Sequence, residues 1–217
     1  MPDYTSLRTA MVDTQVRPSD VTKFPIIEAM LTVPREAFVP AAQRDAAYRG
    51  ENLPLENGRV VLEPRTLAKM LDALNVSKDE LVLDIGAALG YSSAVVARMA
   101  EAVVAVESDE DLAEDAQAAL ADHNIDNVVV HTGPLAEGAA SHGPYDVIIV
   151  QGGVENLPEA IAQQLKDGGR IACVFMTGAL GDVQIGHKTG SRIHWRSEFN
   201  AGAPVLQGFE KEVAFEL

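Results

Sequence analysis

The chain has 217 residues, 47% of them hydrophobic and 23% charged, with a formal net charge of −15. That length suits one globular domain with an extension, and its negative balance, offset by no Lys/Arg cluster, opposes contact with nucleic-acid phosphates. No apolar run approaches the ~18 residues that span a bilayer, the start MPDYTSLRTAMVD has no apolar signal core, and the single cysteine, Cys173, excludes an internal disulfide. The chain reads as cytoplasmic, with no nucleic-acid and no membrane partner.

In chain order, Leu7 to Val16 is one helical stretch and Phe24 to Leu31 another, with Pro25 suited to a first helical turn. A proline-bracketed segment, Val33 to Pro40, follows. Residues 1–57 are too short for a core of their own, so the expectation is a helical cap with a substrate-side loop, packed on a main domain of 58–217. From Gly58 onward, apolar runs alternate with helical patterns, the signature of a sheet with helices on both faces. Strands are predicted over Val60–Leu62, Leu81–Ile85, Val103–Val106, Val128–His131, Val147–Val150 and Arg170–Phe175, then Gly181–His187, Ser191–Trp195 and Glu212–Phe215. Helices are predicted over Thr66–Leu74, Ser92–Met99, Leu112–His123 and Glu159–Leu165. Lys166-Asp167-Gly168-Gly169 is a helix stop and turn.

The segment Leu81 to Tyr91 carries most of the functional signal. A buried strand ends in Asp84, passes through Gly86-Ala87-Ala88-Leu89-Gly90 and enters a helix. At such a junction backbone N–H groups and a helix N-terminus face a ligand. About twenty residues on, a second strand ends in Glu107, where an acid can accept from both hydroxyls of an adenosine ribose. Gly86 and Gly90 do not have the G-x-G-x-x-G spacing of a dinucleotide site. The other acids from Ser108 to Asp115 read as a solvated helix start. The five histidines are scattered and no Cys-x-x-Cys spacing occurs, so no metal is expected.

The order of these pieces resembles the protein-L-isoaspartate O-methyltransferase family over nearly the whole chain. The resemblance is carried by Met11-Val12-Asp13-Thr14-Gln15-Val16-Arg17, Val33-Pro34-Arg35-Glu36 with Phe38-Val39-Pro40, Ala47-Tyr48, Leu53-Pro54, Gly58 and Pro64. It continues through Val82 to Gly86 with Gly90-Tyr91, Glu107, Tyr145-Asp146, Gly152-Gly153 and Gln164 to Arg170. It implies an α/β, Rossmann-like, doubly wound and mostly parallel sheet with an N-terminal helical cap. It also implies methyl transfer from S-adenosylmethionine to the stray carboxylate of isoaspartyl residues in damaged proteins or peptides. That carboxylate is ionised at neutral pH and needs no general base, so positioning carries the catalysis.

By the same resemblance, Gly86, Ala87, Ala88, Gly90 and Tyr91 would meet the methionine part of the cofactor and Glu107 the ribose. Gly133, Pro134 and Leu135 would line the adenine. Asp84 would meet the methionine ammonium or simply hold the turn, and Val60, Val61 and Leu62 would lie on the substrate side. Arg35, Glu36 and Tyr48 read as packing and ion-pair residues. Three departures stand out. The family's Gly-Gln-Thr-Ile-Ser-Gln-Pro loop, whose serine contributes to catalysis, reads Gly58-Arg59-Val60-Val61-Leu62-Glu63-Pro64. Ala88 replaces a middle glycine, and Gly133-Pro134 replaces a Gly-Asp pair. Two other readings stay open: the same cofactor with another acceptor, a small molecule or a particular protein, or a cofactor-binding interaction protein without turnover.

Overall fold

The computed structural model describes residues 2–211, so the strand expected at Glu212–Phe215 lies outside the described residues. The chain opens with α1 (Tyr4–Met11), capped by the Asp3 carboxylate accepting from Ser6 N–H. The helical stretch expected through Val16 continues to that residue, but as wider turns in which Arg17 N–H reaches Val12 C=O. Pro18 lies in the short turn that follows. α2 (Phe24–Thr32) starts on Pro25 in its first turn, where the missing N–H costs nothing. Next come β1 (Leu53–Pro54) and β2 (Val60–Val61), which pair antiparallel in a two-stranded sheet of their own. α3 (Pro64–Leu74) again uses a proline at its start and ends on Asn75 in the left-handed region, φ +50°.

The main sheet contains β3 (Leu81–Ile85), β4 (Ala102–Glu107), β5 (Val128–Thr132), β6 (Tyr145–Val154), β7 (Leu165–Thr177), β8 (Leu180–Thr189) and β9 (Arg192–Asn200). Its order is β5-β4-β3-β6-β7-β8-β9. The five strands from β5 to β7 are parallel, and β7, β8 and β9 form an antiparallel meander. α4 (Tyr91–Ala97), α5 (Glu110–Asp122) and α6 (Glu159–Gln164) connect the parallel strands. Lys166 to Gly169 interrupts the β6–β7 ladder, since Tyr145 faces Leu165 while Val147 faces Arg170.

Strand side chains alternate between two apolar layers. Val82, Val103, Val147, Ile149 and Ala172 face α3, α4 and the N-terminal segment, in one cluster with Met11, Ile26, Met30, Phe38, Leu71 and Val95. Leu83, Ile85, Val104, Ile148 and Val150 face the other way, towards Leu135, Ile161, Leu206 and Phe209. That second layer is only partly helical: besides α6 it is closed by short turns around Leu135 to His142 and by residues Val205–Phe209. The strand order doubles back beside β3, with β4 on one side and β6 on the other. In open α/β sheets a ligand crevice lies at the strand C-termini at such a switch point. Ile85, Glu107 and Gln151 come together there.

Candidate functional site

Asp84, next to last in β3, is fully buried. Its Oδ2 accepts from Ser92 and Ser93 hydroxyls, each at 2.6 Å, and its Oδ1 from Gln151 Nε2 at 2.7 Å. Burial raises the carboxyl pKa above the usual range, and the three donors pull against it. Asp84 thereby pins β3 to the start of α4 and to β6. Its oxygens are committed to holding the turn.

The turn itself follows from backbone geometry. Gly86 (φ +78°), Ala88 (φ +51°) and Gly90 (φ +90°) all occupy the left-handed region, which only glycine enters without steric cost. Four N–H groups of the turn bond within the protein. Gly86 and Ala87 N–H donate to Val106 C=O, Ala88 N–H to Glu107 Oε2, and Gly90 N–H to Ala87 C=O. Tyr91 is buried under the Arg35 guanidinium, 4.6 Å from the ring centre.

Glu107 is fully buried at the end of β4. Arg59 Nη1 donates to its Oε1 at 2.6 Å and Nη2 to its Oε2 at 2.9 Å. Ser108 N–H at 2.8 Å and Asp109 N–H at 3.1 Å also donate to Oε1, and Ala88 N–H at 2.7 Å to Oε2. Sequence reasoning singled out the acid and missed the cation. The available signal was an arginine at the loop position where the family has glutamine, ahead of the apolar run Val60-Val61-Leu62.

Val60, Val61 and Leu62 are buried. Together with Leu67, Gly86, Ala87, Ala88, Tyr91, Ser92 and Gln151 they enclose a cavity of about 10 Å³. Arg35, fully buried, fixes this loop by donating to Ala47 C=O at 2.6 Å and to Leu62 C=O at 2.8 Å. Tyr48 hydrogen-bonds Glu36, which also pairs with Arg8 at 3.0 Å. These three residues hold the cap together.

Gly133, Pro134 and Leu135 line a separate opening of about 470 Å³ with Ser108, Glu110, Thr132, Ala136, Gln207 and Gly208. Gly133 N–H donates to Glu107 C=O. Leu206, next to Gln207 on the segment Ala203–Phe209, packs over Gly86 and Gly152. That segment is tied to β6 through Gly153 N–H to Pro204 C=O at 2.7 Å and Leu206 N–H to Gly153 C=O at 3.0 Å. A Cβ on Gly152 would lie 2.5 Å from the Leu206 side chain, and one on Gly86 would lie 3.0 Å from Arg59 Nη2 and 3.4 Å from Leu206. The glycines that a cofactor would approach are therefore covered by the chain's own side chains. A cofactor-sized pocket is about 300–1,000 Å³, so the cavity beside the Gly86–Gly90 turn is too small, in the conformation observed, to take S-adenosylmethionine.

Among the described residues no group of three or more His, Cys, Asp or Glu is placed to hold a metal ion, and no helix is long and apolar enough to cross a membrane. Cys173 is buried in β7 with its thiol pKa pushed up by burial.

A parallel sheet with a switch point at β3, an Asp-x-Gly turn into α4 and an acid ending β4 defines a Rossmann-like methyltransferase fold. Residues 8–191 match the family model described as protein-L-isoaspartate(D-aspartate) O-methyltransferase (PCMT). Protein-L-isoaspartate O-methyltransferase 1 of Rhodopseudomonas palustris is 39% identical over 168 residues, 77% of this chain and 69% of that relative. The Koribacter versatilis protein-L-isoaspartate O-methyltransferase is 33% identical over 195 residues, 88% of each. Among solved structures, one protein-L-isoaspartate O-methyltransferase superposes with a TM-score of 0.79 at 24% identity, over 94% of this chain and 66% of that longer one. A Plasmodium falciparum structure described as a β-aspartate methyltransferase (PCMT), in complex with S-adenosyl-L-homocysteine, also gives 0.79, at 18% identity, over 95% and 99% of the two chains. The chain belongs to the protein-L-isoaspartate(D-aspartate) O-methyltransferase family, whose members are S-adenosylmethionine-dependent methyltransferases acting on isoaspartyl-containing proteins or peptides.

Proposed function

We propose that this chain transfers the methyl group of S-adenosylmethionine to the carboxylate of isoaspartyl residues in damaged proteins or peptides. The observation that carries the reading is the extent of the family match, which runs from the N-terminal cap through β8 at residues 8–191. On this reading residues 1–57 form the cap over the 58–217 domain, and the cytoplasm is the compartment. Glu107 is the ribose acceptor, Gly86 to Tyr91 the methionine side, Gly133 to Leu135 the adenine side, and Val60 to Leu62 the wall facing the acceptor. Leu62, in place of the family's serine, offers no polar atom. The acceptor carboxylate is already ionised at neutral pH and asks for placement rather than deprotonation.

The test is transfer of label from methyl-labelled S-adenosylmethionine to three acceptors: an isoaspartyl peptide, its normal aspartyl twin and a cell extract. Labelling of the isoaspartyl peptide and not its twin is the expected outcome. Labelling confined to extract components would move the acceptor to another protein or small molecule, and no labelling in any arm would leave an interaction protein without turnover.

A further inference from the structure

We infer that Arg59 is an internal occupant of the ribose site, and that cofactor entry requires its side chain to withdraw from Glu107. The inference rests on the cofactor reading above. Its basis is that one carboxylate is asked to serve two partners. Both oxygens of Glu107 are taken by the Arg59 fork, at 2.6 and 2.9 Å, with three backbone N–H groups filling the remaining acceptor directions. A ribose offering two hydroxyls to the same oxygens finds no free lone pair. The guanidinium also stands over the Gly86 turn, where its Nη2 would lie 3.0 Å from a Cβ. S-adenosylmethionine carries a sulfonium and an ammonium, so charge repulsion adds to the overlap.

Two features mark Arg59 as a displaceable group. Its Nε is buried without a hydrogen-bond partner, so the side chain is held in the cleft by its fork alone. It also lies immediately before β2, beside the small β1–β2 sheet, which is not hydrogen-bonded to the main sheet as a strand. The tip of that hairpin carries Asn57 (φ +55°) and Gly58 (φ +70°), and Glu56 to Gly58 are exposed. If the arm moves outward, Glu107 keeps its three backbone donors. Leu206, lying over Gly86 and Gly152, closes the same space from the opposite side.

A site whose competent form is only a fraction of the population binds more weakly by that fraction. The experiment is calorimetric titration of the full chain with S-adenosyl-L-homocysteine, for wild type and Arg59→Gln, with thermal melts to establish folding. Arg59→Gln is expected to bind about ten- to a hundredfold more tightly while melting lower. A purely structural arginine gives the opposite affinity sign, because its loss would loosen the site. Equal or weaker binding by a folded Arg59→Gln, with the wild type binding at micromolar concentration, overturns the inference and leaves the cofactor reading standing. Absence of binding by both folded proteins overturns both. Should Arg59→Gln not fold, Arg59→Lys decides: it keeps the charge beside Glu107 but loses the two-pronged geometry. A gain of about threefold or more then supports the inference, and no gain overturns it.

Discussion

Ala88 shows how the site depends on single backbone angles. Its φ of +51° places a Cβ in the left-handed region, at a cost of roughly 1–2 kcal/mol, yet its N–H donates to Glu107 Oε2 at 2.7 Å and needs that conformation. Ala88→Gly should relieve the strain and, after the larger unfolded-state entropy of glycine, stabilise the fold by roughly 0.5–1 kcal/mol. The check is a urea midpoint shifted upward at unchanged slope. A lower midpoint would show that packing of the buried methyl group outweighs the strain. At this scale the acid Glu107 and the turn glycines were legible because strand, turn and strand follow one another in the chain. Arg59 was not read as its partner, since 48 residues separate the two and an arginine in place of the family's glutamine does not name a distant acid.

The elements around the cleft are tied by polar clamps between distant segments. Arg170, at the β7 side of the register break, donates to both oxygens of Glu80, just before β3, and to Leu74 C=O at the end of α3. The Arg170 fork holds the Glu80 carboxyl below its ordinary value of 4.5. A depressed acid contributes stability above the unfolded-state pKa and loses it as pH falls through the folded-state value. Glu80→Gln should therefore cost about 1–2 kcal/mol near neutral pH, and the difference from wild type should shrink as pH falls below 4.5. Paired denaturation curves at neutral and acid pH decide it: a difference independent of pH would assign the loss to packing instead. The regular elements followed the periodic apolar pattern, with ends that differ by a few residues. β6 extends to Val154 rather than Val150 because Val154 gains a partner in Phe175, an interaction invisible in a six-residue window.

For the whole molecule the net charge of −15 is a self-repulsion that added salt screens. Raising sodium chloride from about 20 to about 300 mM shortens the Debye length roughly fourfold. The melting temperature should rise across that range, and a fall would mean that the clamps and the buried Arg59–Glu107 pair dominate over the net field. The amino-acid sequence by itself determined the α/β class, the positions of the central strands and connecting helices, the Asp84–Gly86–Gly90 turn and the acid at Glu107. Each of these is written in local periodicity, in glycine placement or in motif order. Only the tertiary structure decided what fills the cleft. Arg59 arrives from a hairpin ahead of the sheet and Leu206 from a segment beyond it, and they meet over Gly86 because the sheet brings β3, β4 and β6 side by side. Contacts between residues so far apart depend on the closed core, which no short stretch of sequence encodes.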